Sequence, residues 1–191
     1  ILLFEHCEPY LKGFPQEDSV AYYRAHSYFK SYDYQTSATL FDEFRRTYGR
    51  SVFIENAEAM YAISLYNMCP GPERDQSRTS QAIIAISEFL AHHPQSAQRE
   101  YFLEMTHDLT WRMEERSFLN AYTYYKILKY DSAIIAFRNA LKKYPDSHRR
   151  EDILYYITMS AYKFAENSVV SKQSDRFMTM LDSYYSFVME Y

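Results

Sequence analysis

Glycine is almost missing from this chain: three in 191 residues, at positions 13, 49 and 71. Soluble domains average roughly 7% glycine. Sandwiches, barrels and doubly wound sheets need it at tight turns and phosphate loops, so the scarcity disfavours all three. With the glycines so placed, no G-x-G-x-x-G, G-x-x-x-x-G-K-[ST] or G-x-S-x-G can be written. Nucleotide binding by either glycine loop and a hydrolase nucleophile elbow are thereby excluded. Cysteine is scarce too. Cys7 and Cys69 have no motif spacing, and two free buried thiols are expected. The six histidines, at 6, 26, 92, 93, 107 and 148, form no H-E-x-x-H and have no cysteine pair to complete a zinc site. No metal, cofactor or catalytic residue is therefore expected. His92 and His93 are expected to be solvated or to face a helix end, and the neighbouring carboxylates Asp42-Glu43 and Glu114-Glu115 to lie on outward faces. A basic excess is absent as well, with 21 Lys plus Arg against 25 Asp plus Glu and a net charge of −4. That is the wrong sign for a nucleic-acid partner. No run reaches the roughly 18 apolar residues of a membrane span, and Ile1-Leu2-Leu3-Phe4 meets Glu5 too soon to form a signal-peptide core.

A repeat is present. Ala25, Tyr28, Ser37, Phe41, Phe44 and Gly49 are separated by 3, 9, 4, 3 and 5 residues, and Ala121, Tyr124, Ala133, Phe137, Ala140 and Pro145 reproduce those offsets without a gap. This is the tetratricopeptide (TPR) pattern. A small residue lets two antiparallel helices A and B touch, a ring fills the space beside it, and a breaker ends the pair. Two further copies, starting at Ala62 and Ala161, need insertions near 67–78 and 166–174. Ser51, Ser96 and Ser147 each follow a breaker by two residues and read as N-caps.

The fold class predicted is all-α: a TPR-like superhelical array of antiparallel helix pairs in one domain, 1–191. Its repeats run approximately 1–13 (partial), 18–49, 51–94, 96–145 and 147–191. The helices fall at 1–11, 18–31, 34–47, 52–68, 79–92, 97–127, 131–143, 148–166 and 174–190. Trp111 is expected to anchor packing along the long third A helix.

The chain carries 21 Tyr and 13 Phe. Tyr22-Tyr23, Tyr124-Tyr125, Tyr155-Tyr156 and Tyr184-Tyr185 are adjacent pairs, and neighbours on a helix point about 100° apart. One narrow core stripe cannot take both rings. Either stacked repeats bury a wide face, or some rings line a groove. Counted from Ala25, the positions on the concave side of such repeats are Tyr22, His26, Phe29 and Lys30. Counted from Ala121 they are Phe118, Tyr122, Tyr125 and Lys126. These eight are the candidate peptide-binding residues, with rings for aromatic side chains and an amine for a carboxylate.

Several segments together resemble the BamD family, TPR lipoproteins of the bacterial outer-membrane β-barrel assembly machinery. They are Ala21-Tyr22-Tyr23 with Ser27-Tyr28-Phe29-Lys30 and Asp33-Tyr34, Cys69-Pro70 followed by Asp75-Gln76 and Ala82-Ile83, and Phe164-Ala165-Glu166-Asn167-Ser168. Ser171-Lys172 and Arg176-Phe177 before Tyr184-Tyr185-Ser186-Phe187 extend the likeness. The resemblance implies a non-enzymatic scaffold on the periplasmic face of the outer membrane. It also implies partners: a BamA-like barrel subunit and unfolded outer-membrane proteins, recognised by aromatic-ended C-terminal segments. The membrane would be met only through a lipid anchor absent from this chain, which reads as a piece trimmed at both ends. A generic TPR adaptor docking another partner's peptide tail is the alternative reading, and an enzyme with an irregular site is the third.

Overall fold

Helices account for every regular element among the described residues: α1 (Leu2–Leu11), α2 (Glu17–Lys30), α3 (Tyr34–Thr47), α4 (Ile54–Asn67), α5 (Ser77–His92), α6 (Arg99–Lys126), α7 (Tyr130–Lys143), α8 (Arg150–Glu166) and α9 (Val170–Glu190). The structure is a computed structural model that describes residues 1–191, with the side chain of Glu8 excepted. Successive helices pack as TPR-like pairs. The chain divides into two compact units, Ile1–Leu109 and Thr110–Tyr191, the boundary falling inside α6.

In the first unit, α1 packs on α2, α2 on α3, α3 on α4 and α4 on α5. Ala25 sits at the α2/α3 crossing with no exposed surface, beside Phe41 and Phe44. A second core gathers Ala62, Ala82, Ile86, Phe89 and Phe102. In the second unit Ala121, Ala133 and Ala140 pack with Phe118, Phe137, Ile153 and Ile157. The repeat anchors thus occupy the contacts that their small size serves, since a larger side chain would force the helix axes apart.

Helices α4, α6 and α8 begin two residues later than the breaker pattern predicts. Ser51, Ser96 and Ser147 cap a single tight turn ahead of each helix instead of the α-helix itself. Their hydroxyls accept the N–H two residues on, at 3.1, 3.2 and 3.2 Å, and their carbonyls the N–H three residues on. The insertion expected at 166–174 is mostly helical. Only residues 167–169 separate α8 from α9.

Insertion 67–78 is a real loop, yet it is partly held. Gln76 Nε2 donates to the carbonyls of Gly71 and Arg74, and Gln76 Oε1 accepts from the buried Thr79. Gly71, Glu73, Arg74 and Asp75 remain exposed. Limited proteolysis of the folded protein is expected to cut first within 71–75, and first cleavage elsewhere would show a loop tighter than its surface suggests.

Carboxylates of the A helices fasten the turn that opens the next pair. Tyr48 and Ser51 donate to Glu17 and Asp18 at 2.9 and 2.6 Å. Burial together with the Glu17 bond pushes the Tyr48 hydroxyl up to about 12. Glu58 takes both His92 and His93, at 3.1 and 2.9 Å, so these histidines are partnered, not merely solvated. Glu115 receives Arg149 at 2.8 Å through both Nε and Nη2, and meets His148 at 3.2 Å. Glu115 is 7% exposed, and Glu114 pairs with His148 at 3.0 Å. Asp42 is paired with Arg45 and Arg46. The outward, solvated placement expected for these carboxylates is therefore corrected for all but Glu43. The physical reason is a partner close to each: arginines one turn further along α3 for Asp42, and His148 and Arg149, returning just before α8, for Glu114 and Glu115.

Two further expectations change. Trp111 is 41% exposed and stacks on His148 at 5.6 Å, so it is a surface ring over a carboxylate-bonded histidine and not a core anchor. Both cysteines are free, but Cys7 is exposed and only Cys69 is half-buried.

Candidate functional site

Tyr22, His26 and Phe29 recur at spacings of four and three along α2, which places them on one face. Their rings form a column: Tyr22 to His26 at 6.1 Å and 12°, His26 to Phe29 at 6.5 Å and 20°. The column is rooted in the core. Tyr22 stacks on Phe53 at 4.8 Å and meets Phe41 and Phe44 edge-on. At its other end Phe29 meets Tyr34 at 5.2 Å. Burial, aided by the Lys30 charge, holds the His26 imidazole below its ordinary value, favouring the neutral ring that stacks well. Lys30 is exposed and borders, with His26, a cavity of about 740 Å³ whose other wall is Ile1, Leu2 and Leu3.

The second unit repeats the device on α6. Phe118 stacks on Tyr122 at 5.8 Å and 10°, and Tyr122 on Tyr125 at 6.0 Å and 15°. Lys126 Nζ lies 5.3 Å over the Tyr122 ring. Tyr156 of α8 supports the column from behind, 4.9 Å from Tyr122 and 5.1 Å from Tyr125. Burial and the bond with Tyr122 push its hydroxyl up to about 12, and burial raises the Tyr22 and Tyr125 hydroxyls as well. These phenols stay neutral around neutral pH and act as apolar platforms with a hydrogen-bonding edge.

Each quartet predicted from the repeat register is thus gathered within its own unit. Phe118 departs from the expected role, being buried beneath the Arg149 guanidinium at 4.9 Å. Its ring supports the column and offers no face to a partner. Tyr156, Phe53, Tyr34 and Tyr130 belong to the columns but escaped the sequence reading. Tyr34 and Tyr130 had a usable signal, since both stand nine residues after the anchoring alanines. Of the adjacent tyrosine pairs, 22–23, 124–125 and 155–156 divide into one half-buried and one exposed ring, whereas Tyr184 and Tyr185 are both exposed.

A second apolar surface lies on α9, where no residue is buried. Met178, Leu181, Tyr185, Val188 and Met189 are exposed at helical spacing, the kind of contiguous stripe that marks protein contacts. Among the described residues, no cluster of three or more His, Cys, Asp or Glu is arranged to hold a metal, and no helix is long and apolar enough to cross a membrane.

The sequence model of a family described as YfiO, outer membrane lipoprotein, matches residues 3–177. Comparison with curated proteins returns no match.

Proposed function

We propose, for a chain that belongs to the YfiO (BamD) outer membrane lipoprotein family, a non-enzymatic scaffold that holds aromatic-ended segments of unfolded outer-membrane proteins. The observation that carries this reading is the pair of ring columns. Half-buried aromatic faces stand at equal offsets from Ala25 and Ala121, each with an exposed lysine beside it. Rings held by neighbours lose little freedom on binding, and a lysine nearby suits a terminal carboxylate. The α9 stripe supports docking of a folded partner, which the family's place in outer-membrane assembly makes a BamA-like barrel subunit. In the full-length protein a lipid anchor would hold the array on the periplasmic face of the outer membrane.

Titration with a C-terminal barrel-protein peptide tests the columns. Phe29→Ala and Tyr125→Ala are the informative variants, because Tyr22 also packs against the core. Each is expected to lose about 1–3 kcal/mol of binding, a tenfold to hundredfold drop that salt hardly changes. Lys126→Ala is expected to lose less, and mainly at low ionic strength. Folded ring variants that bind like the parent would reduce the columns to packing.

A further inference from the structure

The two A-to-B turns of the second unit carry the wrong residues for ordinary surface turns. Leu128 adopts φ 63°, the left-handed region that glycine enters at little cost and a bulky side chain does not. The turn geometry demands that conformation: Lys129 N–H reaches the Tyr124 carbonyl at 2.9 Å and Leu128 N–H the Tyr125 carbonyl at 3.1 Å. Leucine there gains nothing from packing, for it is 68% exposed, and Ile127 beside it is exposed too. The α8–α9 turn places Val169, 65% exposed, at the N-cap, which favours serine or aspartate, and Val170, 84% exposed, follows it as the first residue of α9. Both turns are three residues long, α7 packs on α8, and α8 on α9. Antiparallel helices so joined bring the two turns to the same end of the unit.

Lys126, Lys129 and Lys172 flank the two aliphatic pairs and are all exposed. The nearby carboxylates are Asp131, Asp175 and Glu166, the last paired with Lys163 at 2.9 Å. In a chain of net charge −4, this end is locally basic. The turn of the first unit that matches Leu128 carries Tyr32, at φ 61° and equally solvent-facing.

We propose that this end of the second unit, Ile127-Leu128 and Val169-Val170 with their lysines, rests on an anionic phospholipid surface. Exposed aliphatic pairs flanked by lysines suit the boundary between headgroups and acyl chains, where apolar tips dip in and amines stay with phosphates. Two turns meeting the surface together give an area that neither provides alone. The proposal uses the family's outer-membrane location and shares only Lys126 with the ring columns, so its test leaves that residue unchanged.

Flotation of the 191-residue chain with phosphatidylethanolamine/phosphatidylglycerol vesicles, compared with phosphatidylcholine vesicles, tests it. The parent is expected to float with the anionic vesicles and to be released by salt. Leu128→Gly with Val169→Ser is expected to reduce partitioning roughly tenfold while leaving the melting temperature unchanged or raising it, because both changes suit their backbone positions. A merely structural role would move binding and melting together. Lys129→Glu with Lys172→Glu is expected to abolish the preference for anionic lipid. The proposal is overturned if the parent ignores vesicles, as it would if this end faced a protein partner, or if the Leu128→Gly, Val169→Ser variant floats like the parent.

Discussion

Phe137→Ala is expected to destabilise the Thr110–Tyr191 unit by about 3–5 kcal/mol, the usual cost of emptying a fully buried aromatic site. The ring has no exposed surface, stacks on Tyr156 at 5.7 Å and 10°, and lies 5.9 Å from Phe118. Ala121, Ala133 and Ala140 surround it, and residues that small cannot move in to fill the space. A domain has only about 5–15 kcal/mol in total, so the loss is large. Urea denaturation followed by circular dichroism would read it as a lowered midpoint for this unit. Tyr156 would also lose its backing, and with it the support of Tyr122 and Tyr125, so peptide binding is expected to fall along with stability. A midpoint close to the parent's would show that the neighbours close over the gap.

Glu115→Gln is expected to cost about 1–2 kcal/mol near neutral pH, because it replaces the buried carboxylate under the Arg149 guanidinium with a neutral amide and leaves Asp152, at 2.8 Å, as the remaining charged partner. The effect has a pH signature. Hydrogen bonds from Arg149 first, with a further contribution from His148, hold the Glu115 carboxyl below its ordinary range against the opposing cost of burial. The folded state therefore binds this proton more weakly than the unfolded chain does. The stabilisation is complete above the ordinary carboxylate pKa of about 4.3 and drains away as pH falls through the lowered folded value. Parent and variant stabilities are expected to differ most near neutrality and to converge in acid. A difference that stays constant down the titration would assign the loss to packing around the residue instead of to its charge.

The helix pairs were legible because Ala25 and Ala121 head identical series of offsets, and close helix crossings tolerate few alternatives to a small residue. The ring columns followed from the same register. Residues that depend on a neighbour were harder to place. Nothing in the local sequence of Glu114-Glu115 shows that His148 and Arg149, some 34 residues on, return to meet them, so an outward face was the reasonable expectation. A lone Trp in a helical array is expected in the core, but the partner of Trp111 is the same distant His148. Phe118 holds the position of Tyr22 in the register, but Arg149 covers it. The serines mark their turns correctly, although the tight first turn displaces the helix starts by two residues. Tyr156 arrives from α8, a helix the column positions on α6 do not mention.

The carboxylate fastenings at Tyr48–Ser51, His92–His93 and His148–Arg149 all stand where one helix pair hands over to the next. The opposite end of each pair carries no such carboxylate fastening: it has three-residue turns at 31–33, 127–129 and 167–169, the last held by Gln173 and Arg176 on Ser168, and a nine-residue loop at 68–76 whose stretch 71–75 is mostly exposed. Grafted epitopes, protease sites or fluorescent labels therefore belong within 71–75, where added length disturbs no carboxylate fastening. The same cargo placed at 48–51 or 144–149 would pull a carboxylate from its partner and undo the register of the pair that follows.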